Sequence, residues 1–177
     1  SEDRDIILST ERDHLTGLYN REYFFRYAQQ FDHHHKEMDM DAIVIDVYHF
    51  HMINERYGKA YGDEVLTRIG EKVRSIVRDE GGIVCRREAD TFLVYCPHRE
   101  DYDVILKNAS IGLSGTDETD NRVRLRMGVY AHVDKNIDME RRFDRAKLAS
   151  DSIRSNYVKG IAMYDNRLHE SEIYAEQ

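Results

Sequence analysis

The chain has 177 residues, with 34 acidic against 26 basic side chains and a formal charge of −8. That length suits one domain with a full hydrophobic core, and the charge excludes the bulk positive field on which binding to nucleic-acid backbones or anionic membranes depends. No apolar run reaches the ~20 residues of a membrane-spanning helix, and the charged start Ser1-Glu2-Asp3-Arg4-Asp5 lacks a signal peptide's apolar centre, so neither a nucleic-acid partner nor membrane insertion by this segment is expected.

Residues 1–12 are polar, with Ile6, Ile7 and Leu8 as their apolar group, and read as a helical connector arriving from an upstream module. From Arg21 to Gln30 the run Tyr23, Phe24, Phe25, Tyr27 and Ala28 predicts a helix with a broad buried face, ending at His33-His34-His35. Neighbours on a helix diverge by about 100°, so these histidines are expected to be solvated rather than to converge on a metal. Ala42-Ile43-Val44-Ile45 predicts a central strand buried on both faces, with Asp46 at its carboxyl end. A short helical segment follows, then Gly62, then a second helix whose positions Val65, Leu66, Ile69, Val73, Ile76 and Val77 keep the 3.6 period and which Gly81-Gly82 stops.

Ile83–Arg87 and Thr91–Cys96 read as two strands joined by a tight turn, with Pro97 ending the second. Across such a hairpin Cys85 falls opposite about residue 94, out of register with Cys96. Two cysteines make no disulfide framework, so reduced thiols in a bacterial-type cytoplasm are expected, whatever anchor a longer parent carries. Tyr102, Ile105, Leu106 and Ala109 mark a helix, and Ser114–Asn121 a polar loop. Val123 to Val133 alternate apolar residues with Arg122, Arg124, Arg126 and His132, the pattern of a half-buried strand with its arginines on a solvated face that can pair with nearby acids. A helix over Met139–Ile153, a short strand Ile161–Tyr164 and a polar helical tail complete the chain. The order predicts an α/β sandwich of the βαββαβ kind, a mixed or antiparallel central sheet flanked by helices.

Four segments carry the chemistry: Asp13-x-Leu15-Thr16-Gly17-Leu18-x-Asn20-Arg21, Asp46-x-x-x-Phe50-x-x-Ile53-Asn54, Tyr57-Gly58-x-x-x-Gly62-Asp63-x-x-Leu66, and Arg86-x-Glu-Ala-Asp90-Thr-Phe92. A carboxylate at the end of a buried strand, Asp46, suits a hard cation. The amide of Asn54 can both donate and accept and the carboxylate of Asp63 can accept; the plainer roles are helix caps and turns. In order and spacing these segments resemble the GGDEF family of diguanylate cyclases over residues 13–165, with connectors at 1–12 and 166–177. The resemblance implies a cyclase palm-like fold and a homodimer in which two GTP-loaded domains face each other to make cyclic di-GMP. It further implies guanine contacts from Asn54 and Asp63, and Mg2+ held by Asp46, the backbone of Val47 and Asp90.

Departures gather at the turn. The family's two glycines are Glu88 and Ala89, its fourth-letter carboxylate is Thr91, and Asp90 is the one catalytic acid retained. Glu88 adds charge beside an anionic ligand, and glycine's conformational freedom is lost. Tyr48 replaces a common second Asp, His51 a Lys, Glu55 an Asp and Lys59 a His. Asp151 and Ser155 fall where phosphate-contacting Lys and Arg are expected, and the product-inhibition pair would fall at Asp79 and Gly82. The expectation is a degenerate domain that binds GTP and regulates an attached module, such as an EAL-type phosphodiesterase, under an upstream sensor. The alternatives are a weakly active cyclase using Asp90 and a nucleotide-free interaction domain.

Overall fold

An eight-residue strand, β1 (Met40–Val47), runs through the middle of the molecule with every residue buried, as its β-branched run requires. The computed structural model describes residues 10–78, 81–113, 123–156 and 158–168, in the order α1 (Arg21–His34), β1, α2 (Phe50–Tyr57), α3 (Lys59–Val77), β2 (Ile83–Glu88), β3 (Thr91–Pro97), α4 (Tyr102–Leu113), β4 (Leu125–Tyr130), α5 (Met139–Ser152) and β5 (Ile161–Met163). The sheet order is β2-β3-β1-β4-β5. β3 and β4 flank β1 antiparallel, and β5 joins β4 in parallel. The α/β sandwich expected from the sequence is the fold observed.

Each face of β1 has its own core. Ile43, Ile45 and Val47 pack with Ile53, Val65, Leu66, Ile69 and Val73 beneath α2 and α3. Ala42 and Val44 pack with Phe24, Phe25, Ala28, Phe143 and Ala146 beneath α1 and α5. At roughly 1.5–3 kcal/mol per fully buried large apolar side chain, these two layers dominate the stabilisation. A buried polar contact ties the second layer: Arg142 donates to Asp32 Oδ2 at 2.5 Å and to the Tyr95 hydroxyl at 2.9 Å.

Several sequence expectations change. β4 is not half-buried: all six of its residues are buried, because α5 covers the face expected to be solvated. At Gly128 a Cβ atom would lie 2.0 Å from Ala146 O and 2.6 Å from Ser150 N, so α5 packs its backbone directly on the strand. α3 begins at Lys59 and carries Gly62 in its first turn, since Gly58, at φ +90°, makes the break expected at Gly62. A register shift between Arg86 and Glu88 puts Cys85 opposite Leu93 rather than residue 94, while Cys96 faces Asp41. Both thiols are free and buried. The helical parts expected at 1–9 and 170–177, the loop 114–121 and Asp79 lie outside the described residues.

Candidate functional site

The carboxyl end of β1 brings two neighbours to Asp46. Thr91 of β3 stands directly opposite on one side and Arg126 of β4 on the other. Directly paired residues of antiparallel strands share a face, so the three side chains form a row beneath α5. Arg126 Nη2 lies 3.1 Å from Asp46 Oδ1 and 3.2 Å from Oδ2. Only the second contact has hydrogen-bond geometry, which leaves Oδ1 buried without a hydrogen-bond partner. Ser150 of α5 completes the set: its hydroxyl accepts from Arg126 Nε at 3.2 Å and approaches Asp46 Oδ2 at 3.4 Å. Burial raises the Asp46 carboxyl above its ordinary value; Arg126 opposes that rise and nearby Asp90 adds to it.

Arg126 and Ser150 are the residues that sequence reasoning missed. The signal was the alternation that put Arg126 on one face of β4. What the alternation lacked was the register against β1, which sets Arg126 opposite Asp46 instead of in solvent.

The turn after β2 keeps the shape a glycine would give it. Ala89 has φ +29°, a left-handed conformation costing an L-residue roughly 1–2 kcal/mol. Arg86 holds it there, donating from Nε to Ala89 O at 2.8 Å. The same guanidinium reaches Asp13 at 3.3 Å. Thr16 donates to Asp13 Oδ2 from its backbone N–H at 2.8 Å and its hydroxyl at 2.7 Å. Burial pulls the Asp13 carboxyl upward, but the Thr16 and Arg86 contacts outweigh it and hold it below the ordinary range. The Asp13–Asn20 segment is therefore a brace: it docks on β2 through Arg86, and Asn20 caps α1 by accepting from Tyr23 N at 3.1 Å. Glu88 is exposed beside Arg87, and Asp90 is half-buried with no ion pair among the described residues. Val47 follows Asp46 in β1, opposite Leu125, with its side chain in the core.

Asn54 and Asp63 come from adjacent helices. Asn54 of α2 rests on Gly62 of α3, where a Cβ would lie 1.9 Å from Asn54 Oδ1. Its Oδ1 is buried and unpartnered, the only such side-chain oxygen besides Asp46 Oδ1 among the described residues. Asp63, next to Gly62, is half-buried and makes no ion pair among the described residues. A buried amide oxygen without a partner costs free energy; a ligand donating to it at this edge would recover that. The row at Asp46 is different. A divalent cation there would share the carboxylate with a guanidinium, and at ~4 Å with an effective dielectric of ~20 the two cations repel by about 8 kcal/mol before screening. The donor set at Asp46, paired as it is with Arg126, thus does not fit Mg2+, whereas Asp90 keeps a carboxylate that no cation among the described residues engages.

The sequence model described as "Diguanylate cyclase, GGDEF domain" matches residues 10–156. Diguanylate cyclase VdcA of Vibrio cholerae is 32% identical over 87 residues, 49% of this chain and 25% of that protein. Cyclic di-GMP phosphodiesterase NbdA of Pseudomonas aeruginosa is 31% identical over 93 residues, 51% of this chain and 12% of that protein. The chain thus spans a quarter or less of these two relatives. Among solved structures, the coiled coil and GGDEF domain of DgcB from Caulobacter crescentus, in complex with c-di-GMP, superposes with a TM-score of 0.74 at 16% identity, covering 92% of this chain and 90% of that one. The GGDEF domain of PA1120 (TpbB or YfiN) from P. aeruginosa gives 0.68 at 24% identity, covering 93% and 99%. The family match extends over most of the chain and the same fold recurs in these structures, so this protein belongs to the GGDEF family of diguanylate cyclase domains, the domains of cyclic di-GMP signalling.

Proposed function

We propose that this domain is a degenerate GGDEF domain, catalytically silent, which recognises GTP and regulates an attached module. The observation that carries this reading is the row Thr91–Asp46–Arg126. Where two-carboxylate metal chemistry needs accumulated negative charge, this row holds one acid, one base and one neutral hydroxyl. The guanidinium offsets the charge of Asp46 without offering a site to which an attacking or leaving oxygen can be coordinated. Asp90 alone remains, and Mg2+ often binds through one or two carboxylates together with nucleotide phosphates. On this reading Asp90 would hold Mg2+ together with the nucleotide phosphates, where the ion would offset phosphate charge.

Guanine recognition rests on Asn54 and Asp63. The unpartnered Asn54 Oδ1 accepts from the guanine amino group and the free Asp63 carboxylate from N1–H, a donor pair that adenine lacks. The match confined to 12% of NbdA leaves most of that protein to other segments, which supports a domain that works beside others. Residues 1–12 and 166–177 are the proposed connectors, toward a sensor and an EAL-type phosphodiesterase respectively.

Calorimetry with GTP and ATP, with and without Mg2+, tests this. GTP alone is expected to give saturable heat that Asn54→Ala abolishes, while no cyclic di-GMP forms. Steady cyclic di-GMP accumulation that Asp90→Ala removes would establish a weak cyclase instead. No heat at millimolar GTP would remove the nucleotide and leave an interaction domain.

A further inference from the structure

We propose that Asp39, His98 and His132 form a binding site for a transition-metal cation of the zinc class, at the end of the sheet remote from Asp46. The three residues flank the ends of the three central strands. Met40, the first residue of β1, pairs with Pro97, the last of β3, and Ala42 pairs with Tyr130, the last of β4. Asp39 therefore precedes its strand while His98 and His132 follow theirs, all at one edge. The His98 N–H donates to Asp39 O at 2.9 Å, which fixes two of the three main chains to each other.

The third is fixed by an unusual backbone. His132 has φ +52°, a left-handed conformation that non-glycine residues adopt at a cost and that tends to persist where surrounding contacts enforce it. Here the His132 N–H donates to Asp41 Oδ1 at 2.9 Å. The turn lays the His132 ring against that of His98, with centroids 3.8 Å apart. One donor atom from each of Asp39, His98 and His132 lies within 4.8 Å of the others. Donors around a tetrahedral ion with bonds of roughly 2.0–2.1 Å stand about 3.4 Å apart, so closure requires only rotamer-scale movement of two exposed side chains.

Asp41 supplies the support that metal-binding histidines use. It is fully buried and accepts from the Tyr102 hydroxyl at 2.6 Å and from the Arg99 N–H at 3.3 Å. It also faces His98 Nδ1 at 2.9 Å. An ionised carboxylate only accepts, and both ring nitrogens of His98 face one, so both donate in the metal-free protein; a cation replacing the Nε2 proton would leave Nδ1–H on Asp41, the tautomer that a carboxylate–histidine–metal arrangement needs. In the metal-free protein Nε2 donates to the exposed Glu100 Oε1 at 2.6 Å; the cation would replace that contact, and Glu100 could swing back as a fourth ligand. Two imidazoles with carboxylates select zinc-like ions over Mg2+ and Ca2+, which prefer oxygen throughout.

The test is a Zn2+ titration of the untagged domain by calorimetry with chelator competition, repeated with Co2+ to read its tetrahedral absorption bands. One equivalent is expected to bind, Mg2+ is expected to give no heat here, and His132→Ala or Asp39→Asn should each weaken zinc more than about tenfold. Both residues are exposed, so an unchanged urea midpoint of the metal-free variants shows that folding is intact. The proposal is overturned if there is no saturable binding up to millimolar zinc. It is equally overturned if binding survives both variants together and disappears only when His33, His34 and His35 become alanine.

Discussion

Replacing Arg126 by methionine keeps most of the side chain's bulk and leaves Asp46 without its cation. The ion pair is well shielded, its side chains 11% and 9% exposed, so the loss is not that of a surface pair. A carboxylate that stays charged after its buried partner is removed typically costs ~3–5 kcal/mol. Taking up a proton instead costs about 1.4 kcal/mol for each pH unit above the ordinary Asp value of ~3.9, or about 4 kcal/mol at pH 7 and about 1.5 at pH 5. The cheaper route sets the limit, so Arg126→Met should lose roughly 3–4 kcal/mol at pH 7 and about 1.5 at pH 5. The sign follows from linkage: the folded variant holds a proton on Asp46 that the unfolded chain has released, so its stability relative to the parent rises as pH falls from 7 to 5. Urea unfolding at both pH values measures this. Adding Asp46→Asn removes both charges and should bring the protein back to within about 2 kcal/mol of the parent. A loss below about 1 kcal/mol at pH 7, or an equal loss at both pH values, would refute the view that Arg126 neutralises a desolvated carboxylate.

Gly62→Ala drives a Cβ to within 1.9 Å of Asn54 Oδ1, so it should cost about 1–3 kcal/mol in urea unfolding and abolish the GTP heat together. Ala89→Gly releases a left-handed alanine; the ~1–2 kcal/mol strain less about 0.5–1 for glycine's chain entropy predicts a gain near 0.5–1 kcal/mol, with no cyclic di-GMP formed, read by urea midpoint and product assay. Asp13, whose carboxyl is held below its ordinary value, contributes stability at neutral pH that is lost as pH falls through its folded value. Asp13→Asn should therefore cost about 1 kcal/mol at pH 7, its partial exposure putting it at the low end for bonds to a charged group. That deficit should close as acid unfolding is followed below about pH 4.

The fold was legible because its signals are periodic. The β-branched run at 42–45 and the 3.6 spacing through Val65, Leu66, Ile69 and Val73 depend only on which faces are buried, and burial follows from residue type. The placing of Asn54 against Gly62, the neighbour of Asp63, follows from another kind of signal: the segment spans two helices and one tight link at Gly58, so local chain geometry sets it. The Arg126 contact to Asp46 depends on neither. The two residues are 80 positions apart and meet only through the β1–β4 register, which no local pattern encodes. The fully buried β4 was hidden for the same reason, since its outer face is covered by α5, whose approach depends on one missing side chain at Gly128. The edge that gathers Asp39, His98 and His132 again arises from strand ends distant in sequence.

Gly128 also determines the direction from which a molecule can reach Asp46. It stands in β4 two residues beyond Arg126, opposite Val44, and the main chain of α5 lies on it without a side chain between. A helix resting on bare backbone has no side chain there that can rotate away, so that wall does not open by rotamer changes. Entry from beneath α5 is closed at that level, whereas a pocket lined by Tyr48, Arg124, Leu125, Arg126, Asn156, Lys159 and Gly160 opens onto Arg126 from the segment that leads into β5. A ligand, natural or designed, that enters by that pocket therefore meets Arg126, the cation already paired with Asp46.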